Sequence, residues 1–248
     1  MEATCEDARA SKPTFGFKKT NMSFTFNVAV AASNGVVITA SMVCCGAYLY
    51  KYRWRQLKAR PLVVTTLIIA LTVLTFGLQF AYPEVLQALR LDVDRLKAGE
   101  WWRLITPVFV QPYGLFQFLF NMMFAVVLLP MAEKLYGAKL WLLYLVPGLV
   151  GQLVNTAWKP GGGGSSTAVF GVMGAILIYV LVHRKSAPVQ YPVFAALGLC
   201  GAVVMCFTHD GHGPGLLAGA ALAALICWLA PLEQPNKALQ PTCEDARG

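Results

Sequence analysis

The sequence predicts an all-α protein that crosses a membrane several times, and three observations carry that prediction. Of 248 residues, 57% are hydrophobic and 13% charged, with a mean hydropathy of +0.57; ordinary soluble domains carry roughly a quarter charged residues. Uncharged runs of about 20 residues recur, the length a helix needs to cross a bilayer. Short basic loops fall on every second connection, as the positive-inside bias requires. Together these give six spans after a basic loop and one further span before it.

The elements follow in order. Residues 1–23 form a polar tail in which Glu2, Glu6 and Asp7 lie among Arg9, Lys12, Lys18 and Lys19. Such early acids are foreign to an acid-poor targeting presequence. Residues 24–50 carry no charge and predict an extra N-terminal transmembrane helix, the most polar span because of Asn27, Ser33, Asn34 and Ser41. The loop 51–60 holds Lys51, Arg53, Arg55, Lys58 and Arg60 and marks the inner side. A six-helix domain is expected over 61–233. Residues 61–83 run outward, and 84–113 form an outer segment. Residues 114–135 return to Lys134 and Lys139, and 140–158 run outward to a glycine stretch. Residues 166–182 return to His183, Arg184 and Lys185. Residues 192–207 run outward to Thr208-His209-Asp210-Gly211, and 212–232 come back. A polar tail fills 234–248; the hexapeptide TCEDAR at 4–9 recurs at 242–247, too short for a structural repeat. This path brings Ser166 and His212 out on one side of the membrane at similar depth.

The net charge of +8 sits largely in the basic loop, so it predicts orientation in a lipid bilayer and no nucleic-acid partner. The seven cysteines show no metal spacing; Cys44, Cys45, Cys200, Cys206 and Cys227 lie in apolar runs, and Cys5 and Cys243 in the tails. No metal or other cofactor is expected. The pair His209 and His212 lacks further ligands at suitable spacing. The glycines are followed by Ser165-Ser166 rather than by the Lys-Ser/Thr of a phosphate loop, and Ala168 stands where a GxSxG elbow needs glycine.

A nucleophilic serine needs a base, usually imidazole. The chain has three histidines. His183 falls at the inner end of its helix, a membrane thickness from Ser166. His212 shares a face with Gly211, Gly215, Gly219 and Ala223, small residues at four-residue intervals that let membrane helices approach closely. Thr167, Gly171 and Ala175 form a matching row behind Ser166. Packing the two rows would join hydroxyl and imidazole; equally, the rows would serve packing alone, with Ser166 a helix N-cap. Spacing leaves both readings open.

Several ordered motifs resemble the rhomboid family of intramembrane serine proteases over about residues 61–232. Trp102 and Arg103, within GEWWRLITPVF from Gly99, are similar to its first-loop WR motif. Leu119-Phe120-Asn121 is similar to the end of its HxxxN motif, Gly164-Ser165-Ser166-Thr167 to GxSG, and His212 with Gly215 and Gly219 to HxxGxxxG. The resemblance implies a Ser166–His212 dyad that cuts a transmembrane protein substrate near the membrane boundary. It implies oxyanion support from the backbone at the start of the serine helix and from Asn121, with Phe170 packed on the imidazole. Two positions depart from the pattern. Gln117 stands for the histidine of HxxxN, and its amide still donates. Thr167 stands for the last glycine of GxSG, which puts a Cβ next to the nucleophile. These departures define the alternative: an inactive rhomboid-like protein serving as a substrate-binding scaffold or as a structural subunit among neighbouring membrane subunits. The extra N-terminal span is similar to that of some organellar rhomboids and suggests an inner membrane of a mitochondrion or plastid.

Overall fold

The computed structural model describes residues 17–52, 61–158 and 163–229, with only the backbone described over 17–31 and at 33 and 52. Residues 1–16 and 230–248 with the TCEDAR copies, loop positions 53–60 and residues 159–162 lie outside the described residues. Nine α-helices occur among the described residues: α1 (Phe17–Tyr52), α2 (Val63–Ala81), α3 (Glu84–Leu89), α4 (Val93–Lys97), α5 (Gly114–Tyr136), α6 (Leu140–Trp158), α7 (Ser166–Val182), α8 (Gln190–Phe207) and α9 (His212–Leu229). Among the described residues, four stretches are long and apolar enough to cross a membrane: Val63–Ala81, Gly114–Trp158, Gln190–Phe207 and His212–Leu229. The second contains both α5 and α6, separated by a 3₁₀ turn at Gly137–Lys139. Ser166–Val182 is a shorter apolar helix.

Helix α7 lies at the centre, because twelve of its 17 residues are buried. Its small residues allow this. A Cβ on Gly219 of α9 would collide with the Gly171 carbonyl oxygen, and one on Gly215 would lie 2.7 Å from the Thr167 carbonyl oxygen. The α7 and α9 backbones therefore touch, as small-residue rows permit where no hydrophobic effect drives helices together. Helix α6 closes the other flank: a Cβ on Gly148 would sit 2.9 Å from that of Ala168. Large apolar side chains such as Phe80, Phe116, Phe207 and Trp228 remain exposed on the periphery, suited to lipid rather than water.

Helix α1 starts seven residues before the expected position 24 and packs along α8. Asn34 Nδ2 donates to the Gly201 carbonyl at 2.9 Å, and Ser41 lies against Gly198. These polar residues of the expected extra span thus face protein. At the start of α2, the buried Glu133 of α5 accepts from the backbone N–H groups of Val64 (2.8 Å) and Thr65 (2.7 Å), filling the helix's free donors with a remote carboxylate.

The outer segment is folded rather than a plain connection. It contains α3, α4 and 3₁₀ turns at Trp101–Leu104 and Thr106–Val108. Asp92 caps α4, and the backbone N–H groups of Arg95 and Asp94 hold its carboxyl below the ordinary carboxylate range. Arg103 is the buried tie: Nε donates to Glu100 at 2.6 Å, and Nη1 to the carbonyls of Gln87 and Arg90, each at 2.8 Å. Trp102 is exposed, with Nε1 donating to the Ala88 carbonyl at 3.2 Å.

Candidate active site

The serine turn is held from two sides. Gly164 takes φ +129°, a conformation open to glycine. Its N–H donates to the Pro107 carbonyl at 3.1 Å, and its own carbonyl accepts from Gln152 Nε2 of α6 at 3.2 Å. Ser165 occupies the N-cap position of α7 without a side-chain cap bond; its buried hydroxyl instead accepts from Gln111 Nε2 at 2.8 Å. Ser166 is the first residue of α7 and not its cap. Its Oγ lies 2.8 Å from His212 Nε2, across 46 positions of sequence.

His212 opens α9, so the close packing of α7 against α9 brings the two helix starts together. The Phe170 ring lies 4.7 Å from the imidazole centroid, tilted by 44°. On the far side of the ring, Nδ1 meets Asp210 Oδ1 at 2.5 Å, and the same oxygen accepts the His212 backbone N–H at 3.0 Å. The other histidines are elsewhere. His209, at φ +55°, sets its ring edge-on to Trp158, 5.1 Å between centroids. His183 ends α7 at the opposite side of the bundle, stacked on Tyr179.

Gln117 and Asn121 reach the turn differently. Gln117 Oε1 accepts from the Tyr113 N–H at 2.9 Å, which directs Nε2 toward Gly164 and Ser166. Asn121 Nδ2 donates to Gln111 Oε1 at 2.9 Å, so Asn121 is joined to the serine turn through Gln111 and Ser165. Gln111 is held in turn by Gln79 of α2: the Gln79 amide donates to the Gln111 carbonyl at 2.7 Å and accepts its N–H at 3.0 Å. Thr167 turns toward α6, with Oγ1 donating to the Gly148 carbonyl at 3.3 Å. Its Cβ meets Gly151, not the nucleophile.

Sequence reasoning left out Gln111, Gln79 and Asp210. A usable signal existed for the glutamines, since an amide beside apolar runs must find a partner. Asp210 had only its place two residues before His212.

These features define an integral, multi-pass helical membrane protein with a polar site at one end of a close-packed bundle. The Rhomboid domain family model matches residues 98–229, and the chain belongs to the rhomboid family, a family of intramembrane proteases. The Rhomboid protease GluP of Bacillus subtilis (strain 168) is 32% identical over 136 residues, covering 52% of this chain and 26% of that protein. The putative rhomboid protease YdcA of the same organism is also 32% identical over 136 residues, covering 51% of this chain and 68% of that protein. Rhomboid-like protease 2 of Toxoplasma gondii is 27% identical over 162 residues, with 61% and 54% covered. The chain thus spans about a quarter of one Bacillus relative's length and about two thirds of the other's.

Proposed function

We propose that this chain is a serine endopeptidase that cleaves transmembrane helices near the membrane boundary. The observation that carries the reading is the 2.8 Å contact between Ser166 Oγ and His212 Nε2. In this mechanism Ser166 Oγ bonds to the scissile carbonyl carbon as its proton passes to His212 Nε2. The tetrahedral intermediate collapses, the C–N bond breaks, and the imidazolium returns the proton to the leaving amine. Water then repeats the sequence on the acyl-enzyme. Backbone N–H groups at the start of α7 have no partner in the preceding turn and suit the oxyanion. Gln117 Nε2, beside Gly164, adds a side-chain donor, and Asn121 braces the serine turn through Gln111 and Ser165.

The architecture that goes with this function is six core spans (α2 and α5 to α9) plus α1, with Lys51 at the end of α1 and the start of α2 on the inner side. Ser166 and His212 then open outward. An organelle inner membrane is the location we favour, by likeness to rhomboids with an extra N-terminal span. The scaffold reading rests on Gln117 and Thr167, and Thr167 pointing to α6 weakens it.

The test is cleavage of a single-pass reporter in liposomes by the full chain, compared with Ser166→Ala and His212→Ala. Cutting by the wild type alone is expected. Equal cutting by all three sinks the dyad, and no cutting by any favours the scaffold.

A further inference from the structure

The geometry points to Asp210 as the positioning residue of the His212 base, extending the Ser–His pair to a Ser–His–Asp chain; this rests on the proposed protease reading. A neutral imidazole carries one N–H, and His212 removes a proton from Ser166 only when that hydrogen sits on Nδ1 and leaves Nε2 with its lone pair. An ionised carboxylate accepts and does not donate. Asp210 Oδ1, 2.5 Å from Nδ1, therefore selects the tautomer whose free nitrogen faces Ser166 Oγ at 2.8 Å.

The carboxylate is anchored where it acts. Its Oδ1 also accepts the N–H of His212 at 3.0 Å, which ties the acid to the backbone of the residue it orients. Gly211, between them, is packed so closely that a Cβ there would lie 2.5 Å from Asn155 Cβ of α6. The ring is held between Asp210 and Phe170 of α7. When His212 gains the Ser166 proton, the adjacent carboxylate also stabilises the imidazolium. Among the described residues, the other titratable groups facing this end of α6, α8 and α9 are His209, set against Trp158, and the Cys206 thiol of α8. Helix α7 presents Ser166 and Phe170, and α6 presents Asn155 and Trp158, all uncharged. Because the Asp210 side chain is 41% exposed, water damps its influence. A loss of about 10- to 100-fold is expected, below that for a fully buried triad acid.

Asp210→Asn keeps an oxygen for the His212 N–H and removes the charge; Asp210→Ala removes both. With the full chain in liposomes, Asp210→Asn should lower kcat/KM by about 10- to 100-fold. Histidine ¹⁵N resonances of the full chain in micelles, assigned with His212→Ala, provide a readout independent of cleavage. The wild type should show His212 as the Nδ1–H tautomer, and Asp210→Asn should raise the share of the Nε2–H tautomer. Wild-type kcat/KM and an unchanged His212 tautomer in Asp210→Asn overturn the proposal, and reduced activity in Asp210→Ala alone leaves Asp210 a turn-former. If the wild type cuts nothing, the protease reading falls, while the His212 tautomer still decides the role of Asp210.

Discussion

The side-chain amide of Gln117 occupies the space in which a side chain on Gly164 would begin. A Cβ built on Gly164 would lie 2.5 Å from Gln117 Nε2 and 3.8 Å from Ser166 Oγ. One glycine thus joins the turn that presents the serine to the amide nearest it. Gly164→Ala meets both that collision and a φ of +129°, a combination worth about 1–3 kcal/mol of local strain. We expect cleavage to fall about 10- to 100-fold in Gly164→Ala, read as kcat/KM on a single-pass reporter, while the thermal midpoint in detergent drops only modestly.

Gln111 links the turn to α5 and α2. Replacing it by leucine removes the donor to Ser165 and the acceptor for Asn121, leaving two buried polar groups unpaired. Each costs about 1–3 kcal/mol. Gln111→Leu should therefore unfold at lower SDS fraction than wild type; an unchanged midpoint would show that the network contributes nothing to stability.

The contact between α7 and α9 predicts a sharp difference between two glycines. Gly219→Ala drives a methyl group into the Gly171 carbonyl and should cost about 1–3 kcal/mol by overpacking. Gly77→Ala in α2 meets nothing within 4 Å and should be neutral or stabilising by up to about 1 kcal/mol. Equilibrium unfolding of the two variants side by side checks the contrast.

Thr167 stands where the family's motif has glycine, and its side chain binds α6. Thr167→Gly should cost about 1 kcal/mol through the lost contact and a looser first turn of α7. No gain in cleavage rate should accompany it. A rate increase in the same reporter assay would show that the threonine methyl or hydroxyl obstructs the nucleophile.

Glu133→Gln tests the cap on α2. The carboxylate accepts at both oxygens, and an amide offers only one. The Val64 and Thr65 amides should exchange hydrogen at least several-fold faster in the variant, measured by mass spectrometry in detergent, with little effect on α9.

Much of the architecture was legible in the chain itself. Helices α6 and α7 begin and end where the apolar runs of 140–158 and 166–182 do, because a bilayer requires uninterrupted apolar length and a satisfied backbone. The ordered motifs around Arg103, Asn121, Ser166 and His212 indicated the family for the same reason: local spacing on a helix is preserved in sequence. The early start of α1 and the folded outer segment were not legible. Hydropathy does not mark a helix that continues into polar residues, nor short helices held by Arg103.

What the sequence determined by itself was the solvent, the helical class and the small-residue rows that allow α7 and α9 to touch. Only the tertiary structure decided how the polar groups pair. It set Ser166 against His212 across 46 positions, directed Gln117 rather than Asn121 toward Gly164, turned Thr167 toward α6 and placed Asp210 behind the imidazole. The physical reason is directional. Apolar length and small size are properties of a segment, whereas a hydrogen bond depends on where two side chains point after separate helices have packed.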